Sequence, residues 1–189
     1  MAVEVWAKRL LISSTFTQAT MYVVRPFITY RAIEIDAGAT AIGLIGAIYA
    51  LFPVLLALKF GSWVGKYGEG KFLVIGTFSL IASCTSLVFT NSVATLAIAT
   101  AFAGLSHLAL MVGGQTMVAL RAPKSDYNRL FGYYTFSASL GHTFGPVIAG
   151  LLAGSLANGM PRNSNYAFFF AIVLSSLALI PTWKWRNSA

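Results

Sequence analysis

The stretch Gly61-Ser62-Trp63-Val64-Gly65-Lys66-Tyr67-Gly68-Glu69-Gly70-Lys71 decides how the rest of the chain is interpreted. It holds four glycines and two lysines, and it separates two runs, residues 39–58 and 72–120, that contain no Asp, Glu, Lys or Arg. In hydrocarbon the backbone groups of such a glycine-rich, charged stretch would lack hydrogen-bond partners. It therefore predicts a tight turn in water between two membrane-embedded helices, with the glycines permitting reversal and close backbone approach.

The composition of the whole chain supports a membrane protein. Of its 189 residues, 57% are hydrophobic and 10% are charged, whereas soluble domains are about 25% charged. A net charge of +8 would suggest nucleic acid for a soluble protein, but here the basic residues lie between apolar runs. We therefore predict the lipid bilayer as partner, no nucleic acid, and a multi-pass location in the cell membrane.

Six apolar segments are each long enough to cross about 30 Å of hydrocarbon. Short connections make neighbouring helices antiparallel. The first segment is too long for a cleaved signal peptide, so we expect it to be retained. The predicted fold is an all-α membrane protein, one six-helix bundle over residues 1–189 in a 3+3 repeat. The predicted spans are Leu10–Tyr30, Ala39–Phe60, Phe72–Thr90, Ala94–Leu120, Leu130–Gly154 and Tyr166–Trp183.

Basic residues indicate which side the termini occupy. Ten of the 13 Lys and Arg residues flank the span ends that share a side with the termini. Because short cytoplasmic segments carry the excess of Lys and Arg, both termini and the 61–71 turn are predicted to be cytoplasmic. The ten are Lys8, Arg9, Lys59, Lys66, Lys71, Arg121, Lys124, Arg129, Lys184 and Arg186, and the other three are Arg25, Arg31 and Arg162.

The first span carries a polar stripe, since Thr15, Gln18, Tyr22 and Arg25 follow one another at steps of three and four residues. An arginine inside a membrane is costly unless it meets water, a partner or an anion. Either Arg25 lines a cavity and attracts a negative group, or it extends to the outer headgroups. Pro26 predicts a local kink beside it.

The fourth span repeats this pattern with Thr100, Gly104, His107, Met111 and Gln115 on one face. Histidine and glutamine are costly in lipid, so this face should look inward. His107 either contacts solute or carries a proton, since imidazole titrates near neutral pH, or it bonds a neighbouring helix. The candidate solute contacts of the chain are Gln18, Tyr22, Arg25, His107 and Gln115.

The third and fifth spans carry packing signals. Ser79, Ser83, Ser86 and Thr90 lie on one side of the third span and predict helix packing. The single cysteine, Cys84, is interpreted as a small packing residue. The fifth span has glycine pairs that allow close helix approach and a proline that makes either a hinge or a static kink. These residues are Gly141, Gly145, Pro146, Gly150 and Gly154, with His142 as a second titratable candidate.

Two of these stretches resemble motifs of the major facilitator superfamily. Residues 61–71 resemble the loop motif between the second and third helices, Gly-x-x-x-Asp-basic-x-Gly-basic-basic, which helps to latch the cytoplasmic side. Gly65 stands where the family usually has aspartate, which implies an altered or weaker latch. Positions at or beside those of the motif are held by Gly61, Lys66, Gly68 and Lys71.

Residues 141–150 resemble the fifth-helix motif Gly-x-x-x-Gly-Pro-x-x-Gly-Gly, with Ala149 replacing one glycine; this motif is typical of antiporter and drug-efflux branches. Residues 126–132 resemble the basic loop and glycine that open that helix. The fourth-helix motif Arg-x-x-x-Gly is present only as Thr100-x-x-x-Gly104. Its missing arginine argues against the usual proton coupling.

The resemblance covers the whole chain but only half of a typical twelve-helix member. It implies secondary transport of a small solute by alternating access, with drug or metabolite efflux as one form, and no cofactor or metal. A second six-helix bundle, from another chain or a second copy, would cover the polar face. The expected gating residues are Gly61, Gly65, Lys66, Gly68, Lys71, Gly141, Gly145, Pro146 and Gly150.

Two alternatives stay open. The chain could be a non-transporting remnant or a regulatory partner of a full-length transporter. It could also be an intramembrane serine protease with Ser106 as the nucleophile. Because Ser106 and His107 are adjacent, they point about 100° apart on a helix, so His142 would have to act as the base.

Overall fold

The computed structural model describes residues 4–152 and 163–185 as an all-helical bundle. Gly154, Arg162 and Arg186, for which the sequence predicted a role, lie outside the described residues. The helices are α1 (Val5–Glu34), α2 (Ala39–Tyr67), α3 (Glu69–Val88), α4 (Val93–Arg121), α5 (Tyr127–Leu152) and α6 (Ser164–Thr182), followed by a 3₁₀ turn at Trp183–Trp185. The predicted all-α fold is confirmed, although most helices extend several residues beyond the predicted spans.

Four of the described helical segments are long and apolar enough to cross a membrane: α2, α3, α4 and Ser164–Trp185. Helices α1 and α5 carry more polar side chains; those of α1 are mostly buried, whereas most of those of α5 are exposed. Helix α1 is nevertheless central, since it contacts all five other helices. Its Met21, Val23 and Val24 are fully buried. The central helix of the bundle is therefore one of its more polar ones.

The helix contacts follow a 3+3 pattern. Helix α1 packs mainly against α5 and α6, and α4 packs mainly against α2 and α3. Helices α3 and α6 also pack against each other. Exchanging the first three helices for the last three leaves this pattern unchanged, as expected for a repeated three-helix unit.

The tight turn predicted in residues 61–71 is present, but its predicted extent is wrong. Helix α2 continues to Tyr67 and α3 begins at Glu69, so only Gly68 leaves helical geometry, with φ 87°. A helix satisfies its own backbone groups in water as well as in lipid, so glycine and charge do not require it to unwind where it leaves the membrane. A Cβ at Gly61 or Gly65 would meet nothing within 4 Å, so neither glycine makes the close backbone approach expected of it.

Opposite ends of the bundle are tied by different polar contacts. At the end that holds Gly68, Arg121 of α4 pairs with Glu69 of α3, with Nε and Nη2 each 2.7 Å from Oε1. At the other end, Glu34 accepts hydrogen bonds from the Ser164 backbone N–H at 2.8 Å and the Ser164 hydroxyl at 2.6 Å. Arg31 pairs with Glu34 and donates to Asn165. The first contact set joins α3 to α4, and the second joins α1 to α6.

The hydroxyls of α3 serve the α3–α4 contact. Ser79 and Ser106 share a hydrogen bond of 2.7 Å, and Ser83 donates to the Ala99 carbonyl at 3.4 Å. Ser86 instead donates to the Ser83 carbonyl of its own helix, and Thr90, just past the end of α3, donates to the Leu87 carbonyl. Cys84 is fully buried, as a packing residue should be.

Candidate functional site

A cleft of about 330 Å³ lies between α1, α4 and α5 and is called the central cleft here. Four of the five predicted solute contacts line it, whereas Arg25 lines a second cavity. Its other lining residues come mostly from α5 and include aromatic and small polar side chains. The central cleft is lined by Gln18, Tyr22, His107, Met111, Gln115, Phe131, Tyr134, Thr135, Ala138, Ser139 and His142.

Glycines of α5 bring that helix against α1. A Cβ at Gly141 would lie 2.4 Å from the Thr15 carbonyl oxygen, and one at Gly145 would lie 2.6 Å from that of Ala19. No real Cβ approaches so closely, so both positions require glycine at this helix separation. Gly150 has nothing within 4 Å, so it does not extend this contact. The close approach places His142 opposite Gln18.

Gln18 joins the two histidines. Its Oε1 lies 3.2 Å from Nε2 of His107 and 3.1 Å from Nε2 of His142, while its Nε2 donates to the sulfur of Met111 at 2.9 Å. A carbonyl oxygen only accepts, so both histidine Nε2 atoms carry hydrogen. Both ring orientations at the centre of the cleft are therefore fixed by one side chain that is 3% exposed.

Tyr49 of α2 completes this network, although the sequence analysis did not identify it. Its hydroxyl lies 2.8 Å from Nδ1 of His107. Because Nε2 of His107 carries the hydrogen of the neutral ring, Nδ1 accepts from Tyr49. The only sequence signal was a tyrosine within an uncharged apolar run, where a buried hydroxyl needs a partner. Tyr22 in turn stacks on His142 with ring centroids 3.8 Å apart.

Arg25 lies over aromatic rings beside this network. Its guanidinium carbon is 4.9 Å from the centroid of Tyr49 and 5.8 Å from that of Tyr22. It lines a cavity of about 180 Å³ between α1, α2 and α4, called the Arg25 pocket here. Its position therefore matches the cavity interpretation better than an extension to the headgroups. The Arg25 pocket is lined by Arg25, Ile28, Thr29, Ala32, Ile42, Ile45, Gly46, Tyr49 and Thr100.

The expected gating residues lie in two places. Gly61, Gly65, Lys66 and Lys71 are exposed on α2 and α3 near the break at Gly68. The ammonium of Lys66 lies 5.4 Å from the centroid of the Tyr67 ring. Gly141, Gly145 and Pro146 lie on α5, where the two glycines pack on α1.

Ser106 does not face the histidines. Its hydroxyl bonds Ser79 and donates to the Phe102 carbonyl at 2.8 Å, and the residue is 1% exposed. His107 and His142 instead share Gln18. A serine nucleophile with an adjacent base requires the two groups within hydrogen-bond reach, and the described contacts of Ser106 place it against α3 instead.

A family model described as Major Facilitator Superfamily matches residues 10–189. The chain belongs to the major facilitator superfamily. This confirms the resemblance drawn from residues 61–71 and 141–150, and it makes the chain a membrane protein of a transporter family. The 3+3 helix contacts are consistent with one half of such a transporter.

Individual relatives agree with this assignment. The chain is 30% identical over 158 residues to a transporter of the major facilitator type from Methanocaldococcus jannaschii, covering 83% of this chain and 39% of the relative. It is 27% identical over 147 residues to Multidrug resistance protein 1 of Bacillus subtilis, covering 78% and 36%. It is 26% identical over 157 residues to Tetracycline resistance protein, class H, of Pasteurella multocida, covering 83% and 37%. The chain thus matches well under two thirds of the length of each of these relatives.

Proposed function

We propose that the chain forms one half of a secondary transporter that moves a small solute across the cell membrane by alternating access. Family membership and the central cleft support this proposal. The observation that carries it is the convergence of His107 and His142 on Gln18 at the junction of three helices. Such polar groups are costly in lipid and are found around solute paths.

The central cleft suits a small, partly apolar solute. Phe131, Tyr134 and Met111 supply apolar walls, while Gln18 and Gln115 supply amides. Binding pockets typically combine predominantly apolar walls with a few placed polar groups. Two of the relatives are named for multidrug and tetracycline resistance, so we propose efflux of drug-like solutes. We assign solute contacts to Gln18, Tyr22, Arg25, His107 and Gln115.

A second six-helix bundle would close the cleft. Outward residues of α2 are strongly exposed in the isolated bundle, with Val54 at 74% and Leu58 at 90%. Helix α5 exposes Leu151 at 78%. These apolar surfaces need lipid or another bundle against them. We propose that another chain or a second copy covers the cleft, and that the bundles rock about it, with Gly68 and Pro146 as the flexible points.

Transport should be measured in vesicles that hold the chain alone and in vesicles that also hold the last six helices of a relative. We expect saturable movement of at least one drug-like solute in one of these arrangements. Gln115→Ala should raise KM about three- to tenfold, since Gln115 is exposed in the cleft and one hydrogen bond is worth about 0.5–1.5 kcal/mol. Asn91→Ala, at the exposed α3–α4 turn, is the control. Movement no faster than in empty vesicles in both arrangements would refute the proposal.

A further inference from the structure

Arg25 differs from three other arginines of the bundle in having no carboxylate partner. Arg31 pairs with Glu34, Arg121 with Glu69 and Arg129 with Asp126. Within the described ranges Arg25 forms no ion pair or hydrogen bond, and its guanidinium lies over the rings of Tyr49 and Tyr22. Arg25 is exposed where the Arg25 pocket opens, and its charge has no counter-ion among the described residues.

The chain has no acidic residue that could supply this counter-ion from a cavity wall. Its five acidic residues are Glu4, Glu34, Asp36, Glu69 and Asp126, and none lines the central cleft or the Arg25 pocket. Glu34, the nearest along α1, is held by Ser164 and Arg31. The two cavities together carry positive charge and no negative charge.

Thr100 provides an independent sign of a missing ligand. It lines the Arg25 pocket and is 0% exposed, and its Oγ1 has no hydrogen-bond partner in the described part of the chain. Buried polar groups normally have partners. A threonine hydroxyl can donate to an oxyanion, and a guanidinium offers several N–H donors arranged for one.

We propose that the Arg25 pocket binds the oxyanion, a carboxylate or phosphate, of an amphiphilic solute whose apolar body occupies the central cleft. Arg25 and Thr100 donate to the oxyanion, and Ile28, Ile42 and Ile45 supply apolar wall beside it. Tyr49 connects the two cavities, since it lines the Arg25 pocket and bonds His107 of the central cleft. The claim that the bound anion is transported rests on the proposed function. The claim that the anion binds does not.

The test compares benzoate with benzamide, which have nearly the same shape and differ in charge. Binding to the chain in nanodiscs of zwitterionic lipid is measured by calorimetry. We expect benzoate to bind at least about tenfold more tightly than benzamide, as a charge-assisted hydrogen bond predicts. Arg25→Gln should remove this preference, and Arg25→Lys should keep part of it. Thr100→Val should weaken benzoate binding several-fold, whereas Thr100→Ser should preserve it.

Arg9→Gln is the matched control, because it removes one positive charge from the other end of α1. Thermal unfolding and size-exclusion profiles establish that each variant is folded, and Arg25→Lys remains informative if Arg25→Gln is not. Equal binding of the two probes, or equal losses in Arg9→Gln and Arg25→Gln, would overturn the proposal. Nanodiscs that contain phosphatidylglycerol separate the sources of the oxyanion, since competition with benzoate would assign the pocket to lipid headgroups instead of solute.

The transport function and the anion site can be refuted independently of each other. Benzoate selectivity that depends on Arg25, without movement of any solute, would refute the transport function and leave the anion site standing. Transport of solutes by a chain that shows no such selectivity would refute the anion site and leave the transport function standing.

Discussion

The hydroxyl of Tyr49 lies 2.8 Å from Nδ1 of His107, which joins α2 to α4 at the level of the central cleft. The main chain of the same tyrosine faces Gly104, where a Cβ would lie 2.2 Å from the Tyr49 carbonyl oxygen. Because His107 also bonds Gln18, and Gln18 bonds His142, the contact extends to α1 and α5. A movement of any of these four helices therefore changes the geometry of the cleft.

Tyr49→Phe tests this connection. The substitution keeps the ring beneath Arg25 and removes the hydroxyl, so His107 Nδ1 loses its donor. We expect a loss of about 1 kcal/mol in stability, as for one net hydrogen bond, and a change in solute affinity. Thermal unfolding in detergent and solute binding measure the two effects. Tyr166→Phe is the control, because Tyr166 is 56% exposed on α6. Equal effects of the two substitutions would show that the hydroxyl of Tyr49 is not part of the network.

Much of this arrangement followed from the sequence because helical periodicity is local. The steps of four residues from Gln18 to Tyr22 and from His107 to Met111 place each pair on one face. Both faces meet at the central cleft. The glycine spacing on α5 likewise predicted close packing, which Gly141 and Gly145 make against α1.

Other features depend on which helices become neighbours, and no local pattern encodes that. Tyr49 belongs to no stripe of polar residues in its span. The pairing of Glu69 with Arg121 joins residues far apart in sequence. The predicted end of α2, at Phe60, was wrong for a different reason. Glycine and lysine in residues 61–71 do indicate a segment exposed to water. Exposure to water does not end a helix, however, and only Gly68 departs from helical geometry.

Two glycines of the loop motif should respond differently to alanine. Gly68 has φ 87° and ψ 142°, a region that only glycine occupies readily, so Gly68→Ala should cost about 1–3 kcal/mol. Gly65 is helical with open space around it, so Gly65→Ala should be neutral or stabilise the chain by up to about 1 kcal/mol. Denaturant unfolding of both variants measures the difference. A larger loss at Gly65 would mean that its site is filled by a second bundle.

Gly141→Ala tests the contact between α1 and α5. A Cβ there would lie 2.4 Å from the Thr15 carbonyl oxygen, and backbone cannot move aside as a flexible side chain can. We expect α5 to be displaced at a cost of about 1–3 kcal/mol, with loss of the Gln18–His142 contact. Gly43→Ala is the matched control, since it lies within α2 with nothing within 4 Å. Unfolding curves and the imidazole NMR signals of His142 report both effects. Unchanged His142 signals would contradict the packing described here.

The ion pair between Glu69 and Arg121 should account for part of the attachment of α3 to α4. Its side chains are 14% and 30% exposed, so water weakens the pair, and Glu69→Gln should cost about 1 kcal/mol or less. The exchange of both residues, Glu69→Arg with Arg121→Glu, restores the attraction but places a cation in the first turn of α3, where the helix dipole favours an anion. We therefore expect the double variant to be more stable than either single charge reversal but less stable than the original chain. Unfolding of all four proteins at low and high salt gives the coupling energy. Additive effects of the two reversals would show that the 2.7 Å contact contributes nothing to stability.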